Sequence, residues 1–124
     1  MSEIEIRKVE TKKDKKVFIN LPWLIYKNDP NWVPPLKMAV EDMLNPKHPF
    51  YETGKAQCFI AFRDKDVAGR IMAINPNAYN DYHGSKAGFF GFFESIKDPE
   101  VTKALLSEAE KWIKDQGLNE IQGP

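Results

Sequence analysis

The sequence has a single cysteine, Cys58, only two histidines, and no excess of charge of either sign. One thiol closes no disulfide within the chain, which points to a reducing compartment and so to the cytoplasm. His48, His83 and Cys58 stand at no ligand spacing of the Cys-x-x-Cys or His-x-x-x-His kind, so no metal site is expected. Eighteen basic residues against eighteen acidic ones leave a formal net charge of zero. A chain with no net field has nothing to gather nucleic acid or to hold it on an anionic membrane surface, so neither is expected as a partner. No apolar run approaches the roughly 18 residues that cross a bilayer. The opening Met1-Ser2-Glu3-Ile4-Glu5 also lacks the basic-then-apolar pattern of a secretory signal. Seven glycines and nine prolines exclude collagen-like and low-complexity classes.

What is present is globular: 42% apolar and 29% charged residues in a 124-residue chain, enough for one domain with a core of its own. The alternation of Ile4 and Ile6, followed by Val9, predicts a first strand. Thr11 is a candidate N-cap for a helix through Val17, Phe18, Leu21, Leu24 and Ile25, in which Pro22 predicts a kink or a break. A turn is expected at Asn28-Asp29-Pro30-Asn31. A second helix opens at Pro34-Pro35, carries Leu36, Val40, Met43 and Leu44, and stops at Asn45-Pro46-Lys47-His48-Pro49.

Cys58 to Phe62 and Val67 to Ile74 then read as a hairpin around Arg63-Asp64-Lys65-Asp66, with Gly69 at a bulge or a close approach. A polar loop follows from Asn75 through His83. Gly88-Phe89-Phe90-Gly91-Phe92-Phe93 is apolar on both faces and predicts a central strand covered on each side. Asp98 as N-cap, Pro99 at the first helical position and Gly117 after the end frame a helix whose face is Val101, Leu105, Ala109 and Trp112. A last strand at Asn119–Gln122 pairs parallel to the phenylalanine strand, because a helical crossover separates them. The predicted order is β-α-α-β-β-β-α-β, a mixed α/β sheet. Its uncovered final strand predicts self-association or a covering element from elsewhere.

Cys58, at the start of an apolar strand, reads as a core thiol rather than a nucleophile. Ser95 lacks the Gly-x-Ser-x-Gly elbow of hydrolases. The phenylalanine run is one residue out of step with an RNA-stacking strand, which would turn its rings to the wrong face. The strongest constellation is the strand-to-helix junction Phe93-Glu94-Ser95-Ile96-Lys97-Asp98-Pro99-Glu100. There a strand end meets a helix N-terminus, where free backbone N–H groups and the helix dipole favour an anion, and Lys97 adds a charge. A purely structural cap by Asp98 fits the same residues.

The stretch Ala104-Leu105-Leu106-Ser107-Glu108-Ala109-Glu110-Lys111-Trp112, with Gln116-Gly117-Leu118 and Ile121, resembles the third helix and fifth strand of the GNAT superfamily. These are the acyl-CoA-dependent N-acyltransferases. A narrower likeness, through Gly88–Ser95 and Gln122-Gly123-Pro124, is to larger uncharacterised bacterial GNAT-like proteins. The resemblance implies that residues 1–124 form the N-terminal half to two-thirds of a GNAT domain, truncated after its fifth strand. It also implies acetyl-CoA or another acyl-CoA as cosubstrate, held between the last two strands. Carried over by position, Phe92, Phe93, Glu94 and Ser95 line the pantetheine arm. Lys97, Asp98, Val101 and Thr102 stand at the pyrophosphate, without the glycines of the family's loop, and Glu94 is the candidate general base. Two functions stay open: acyl transfer to an unspecified amine, and a non-catalytic GNAT-like binding or assembly module or half-domain that needs a partner.

Overall fold

The computed structural model describes residues 4–26, 30, 37–45 and 47–123. The elements are β1 (Ile4–Lys8), α1 (Lys12–Tyr26), α2 (Lys37–Leu44), a 3-10 turn at Pro49–Glu52, β2 (Lys55–Arg63), β3 (Asp66–Asn75), α3 (Asn77–His83), β4 (Ala87–Ser95), α4 (Pro99–Asp115) and β5 (Glu120–Gln122). The strands form one sheet in the order β1-β2-β3-β4-β5. Neighbours are antiparallel except β4 and β5, which run parallel as the helical crossover requires.

Strand alternation sorts the apolar side chains to two faces. Phe59, Ala61, Ala68, Ile71 and Ala73 pack under α4 through Val101, Leu105, Ala109 and Ile113. Cys58, Ile60 and Met72 pack under α1 and α2 through Phe18, Ile19, Val40 and Leu44. Each helix stripe thus closes one face of the same sheet. The Gly69 backbone lets α4 come close: a Cβ there would stand 2.7 Å from Leu105 Cδ1 and 2.9 Å from the Glu94 carbonyl oxygen. The β2–β3 register slips at this point, so both readings of Gly69 apply.

The hairpin turn is tighter than the sequence suggested. Asp64 and Lys65 both have positive φ, 52° and 75°, as a two-residue hairpin of the type I′ class demands. The helix grammar of α4 holds as read. Asp98 accepts a hydrogen bond from the Glu100 N–H, Pro99 sits in the first turn, and Gly117 takes the left-handed conformation at φ 82°.

Four expectations change. α1 continues through Pro22 without a break. The polar segment after β3 holds a short helix, α3, whose Asn80 is buried. The phenylalanine strand β4 is fourth of five rather than central, and beyond Gly88 it is only half-buried. A 3-10 turn follows α2, with the His48 side chain accepting from the Phe50 N–H. Of the turn at 28–31 only Pro30 is described, and it is in a turn, while Pro34-Pro35 and Leu36 lie outside the described residues.

Candidate functional site

The junction singled out in the sequence lies at the end of β4, whose start pairs with β5. The two strands pair only at Ala87, Gly88 and Phe89. The start of β4 is pinned on its other flank by the buried Asn80, whose amide donates to the Ala87 carbonyl at 2.9 Å and accepts from the Ala87 N–H at 3.0 Å. All three residues of β5 take part in this pairing, and β4 runs on past Phe89 to Ser95. The Phe90 ring sits beside Gly123, so close that a Cβ there would lie 2.1 Å from the ring.

Further along, β4 carries one extra residue. Met72 faces Gly91 and Arg70 faces Glu94, so a single β3 residue, Ile71, spans two on β4. Phe92 has φ 50°, a left-handed conformation that costs a side-chain-bearing residue roughly 1–2 kcal/mol. The bulge separates neighbouring side chains. Phe92 joins the cluster under α1, meeting Phe18 edge-on at 6.1 Å between ring centroids. Phe93 joins the cluster under α4.

Glu94 therefore emerges on the α1 side, where the Tyr26 hydroxyl donates to its Oε2. Arg70, its partner across the ladder, is buried, and burial pulls its guanidinium below the usual range while the charge of Glu94 opposes that fall. A phenol and a carboxylate thus meet at the C-terminal end of α1, with the buried cation Arg70 opposite Glu94 in the strand ladder.

The proposed anion end lies one turn away. An open concavity there is lined by Ile96, Lys97, Asp98, Pro99, Thr102 and Lys103. The two carboxylates of the α4 N-terminus do not face it uncompensated, for Arg63 Nη1 lies 3.2 Å from Asp98 and 3.5 Å from Glu100. Lys97 and Lys103 thus line the concavity together with Asp98, and Arg63 pairs with both carboxylates. Ser95 donates its hydroxyl to the Ile96 carbonyl and approaches Thr102 Oγ1 at 3.3 Å. Val101, expected at the pyrophosphate, is instead wholly buried in the core and presents no surface to a ligand.

Of the residues the sequence reading named, Lys97, Asp98 and Thr102 line this concavity and Ser95 touches Thr102, while Glu94 meets Tyr26 on the α1 side and Phe92 and Phe93, expected along one arm, pack in different clusters. That reading missed Tyr26, Arg63 and Arg70, which come from distant strands and helices. A separate concavity of about 630 Å³ between α1 and α2 is lined by Lys12, Lys15, Lys16 and Leu44, among others, and by no residue of β4 or α4. Among the described residues no cluster of His, Cys, Asp and Glu is suited to a metal ion, and no helix is long and apolar enough to cross a membrane.

A bulged fourth strand, a parallel fifth strand paired to its start and a capped helix linking them fit the GNAT fold, and solved structures agree. A tandem GNAT protein from the clavulanic acid biosynthesis pathway superposes with TM-score 0.71 at 14% identity, over 98% of this chain and 36% of that one. An N-acyl amino acid synthase from uncultured soil microbes gives 0.68 at 12%, over 98% and 70%. An aminoglycoside N-acetyltransferase in complex with CoA gives 0.66 at 19%, over 100% and 78%. The chain has the GNAT fold. In sequence it is 36% identical to Protein YghO of Escherichia coli K12 over 119 residues, 96% of this chain and 30% of that protein. It is 34% identical to the bacterial ceramide synthase of Caulobacter vibrioides over 125 aligned positions, 99% of this chain and 33% of that protein. The chain thus spans about a third of the length of these curated relatives. No protein-family profile matches it.

Proposed function

We propose that this chain is the N-terminal part of an acyl-CoA-dependent N-acyltransferase domain that acylates a long-chain amine. The observation that carries the proposal is the bulge at Phe92, which brings Glu94 to the α1 side beside Tyr26. The β4 backbone beyond Phe89, outside the β5 pairing, suits an extended pantetheine arm, which pairs with strand backbone. Lys97, Lys103 and Arg63 suit its phosphates, in place of the glycine-rich loop that is missing here. The acyl class is supported by two names among the similar proteins, a ceramide synthase and an N-acyl amino acid synthase.

Glu94 accepts a proton from the amine, directly or through one water, as the nitrogen bonds to the thioester carbonyl carbon. The thioester supplies an activated acyl group. The C–N bond forms as the C–S bond breaks, and the released thiol of CoA carries away the balancing proton. Tyr26 holds the carboxylate in place until the amine arrives.

The test is incubation of the full-length protein with acetyl-CoA or palmitoyl-CoA and sphinganine, with the amide detected by mass spectrometry. Amide formation with the long-chain amine, lost in Glu94→Gln, is the expected result. Calorimetric binding of CoA without transfer to any amine would instead favour the non-catalytic module. No binding of CoA at millimolar concentration would overturn the reading.

A further inference from the structure

Arg70 is a buried arginine with a fully specified set of partners. Its Nη1 donates to the Phe18 carbonyl at 2.6 Å, its Nε donates to the Phe92 carbonyl at 3.1 Å, and its guanidinium lies 4.8 Å and 5.5 Å from the Phe18 and Phe92 ring centroids. Neither carbonyl is ordinary. In an α-helix the carbonyl of residue 18 receives the N–H of residue 22, and residue 22 is the buried proline Pro22, which has no N–H to give. The Phe18 carbonyl is thus orphaned by the sequence of its own helix, in a place shut off from water. The Phe92 carbonyl belongs to the bulged residue whose φ is 50°. An extra strand residue leaves the regular ladder, so its backbone groups need partners from elsewhere.

We infer that Arg70 is a positioning residue which, by donating at once to the carbonyl left open by Pro22 and to the carbonyl of the Phe92 bulge, locks α1 to β4 and thereby fixes where Glu94 and Tyr26 meet. The planar guanidinium makes the double contact possible, because its Nε and Nη1 donors point in fixed and different directions while its charge lies against the two rings. A lysine ammonium in the same place carries the charge but no such fork. Pro22 belongs to the device as much as Arg70 does. With an alanine at 22 the helix satisfies the Phe18 carbonyl itself, and Arg70 becomes dispensable there. This explains why α1 runs unbroken through a proline.

The claim about the lock stands on geometry alone, and only its catalytic consequence rests on the acyl-transfer reading. Thermal unfolding of the full-length protein tests the lock by a double-mutant cycle of Arg70→Met with Pro22→Ala. The expected result is that Arg70→Met lowers Tm markedly in the parent and by less than half as much in the Pro22→Ala background. A parent variant too unstable to fold, restored by Pro22→Ala, is the same result in stronger form. If Arg70→Met folds in neither background, the cycle is read with Arg70→Lys. Equal Tm losses in the two backgrounds, or an Arg70→Lys protein indistinguishable from the parent, would overturn the inference.

Where amide formation is measurable, Arg70→Lys assayed well below its Tm is expected to lose about tenfold or more in kcat with KM for acyl-CoA nearly unchanged, since misplacement of a catalytic group costs rate rather than binding. A kcat equal to the parent's, with Tm alone reduced, would leave Arg70 a structural brace and overturn its positioning role. Absence of activity in the parent itself would count against the acyl-transfer reading and leave the Tm cycle as the measure of the lock.

Discussion

Arg63, the last residue of β2, reaches across to Asp98, the N-cap of α4, with Nη1 3.2 Å from the carboxylate and both side chains about one-fifth exposed. One carboxylate thus serves a helix cap and an ion pair at the same time. Asp98→Asn keeps a side chain that caps and loses the charge, and is expected to cost up to about 1 kcal/mol. Asp98→Ala loses both and is expected to cost about 1–2 kcal/mol. Urea unfolding of the two variants separates the cap from the pair. Identical midpoints would mean the cap contributes nothing beyond the charge.

Asn80 is expected to be the most sensitive polar residue outside the candidate site. Its amide answers both backbone groups of Ala87, which is itself almost wholly buried. Asn80→Ala leaves a donor and an acceptor unpaired in a dry place, at about 1–3 kcal/mol for each. Hydrogen exchange is expected to show the Ala87 amide losing protection, while amides in the middle of α4 keep theirs.

Cys58 is buried, and burial pushes its thiol up from 9.0 to about 12. The folded protein therefore holds this proton more tightly than the unfolded chain does. The stability this contributes is fully present below about pH 9 and is lost as the pH rises towards 12. Unfolding midpoints across this window are expected to fall less steeply in Cys58→Ala than in the parent. Labelling of the native protein by a thiol reagent at pH 8 is expected to be slow and to accelerate on unfolding, because the reactive species is the thiolate.

Gly88 marks a second close approach of α4 to the sheet: a Cβ there would lie 2.5 Å from Ile113 Cγ2. Gly88→Ala is expected to cost about 1–3 kcal/mol through overpacking. Combining it with Ile113→Ala is expected to cost less than the sum of the two, since one change makes the room the other needs. Strictly additive losses in calorimetric unfolding would show that the helix shifts instead.

How much of this was legible depended on the range of the interactions. α4 was readable because its cap, its proline, its glycine and its apolar face are all local signals. α3 was not, since Asn77-Ala78-Tyr79-Asn80-Asp81-Tyr82-His83 has no apolar stripe. It is held by tertiary contacts instead, Asn80 on Ala87 and Tyr79 edge-on to Phe89 at 5.5 Å. The phenylalanine strand looked covered on both faces because its rings are apolar, yet beyond Gly88 each of its residues is only half-buried. Glu94 could be found from its place after the strand. Its hydrogen-bond partner Tyr26 lies 68 residues away, and no local pattern links them. Pro22 did leave a clue, for a proline inside a buried helix requires a donor from somewhere else.

The single extra residue in β4 also acts as a change of parity. In a regular strand, odd and even positions belong to opposite faces, and Phe90 and Glu94, both even, would look the same way. Across the bulge they do not: Phe90 packs with the α4 cluster, while Glu94 meets Tyr26 of α1. Laid out as a regular strand with no bulge, the same residues would turn the carboxylate under α4, whereas deleting the extra residue would leave Glu94 opposite Arg70 on the α1 side. In this strand the bulge decides which side the chemistry is on as firmly as the identity of the residues does.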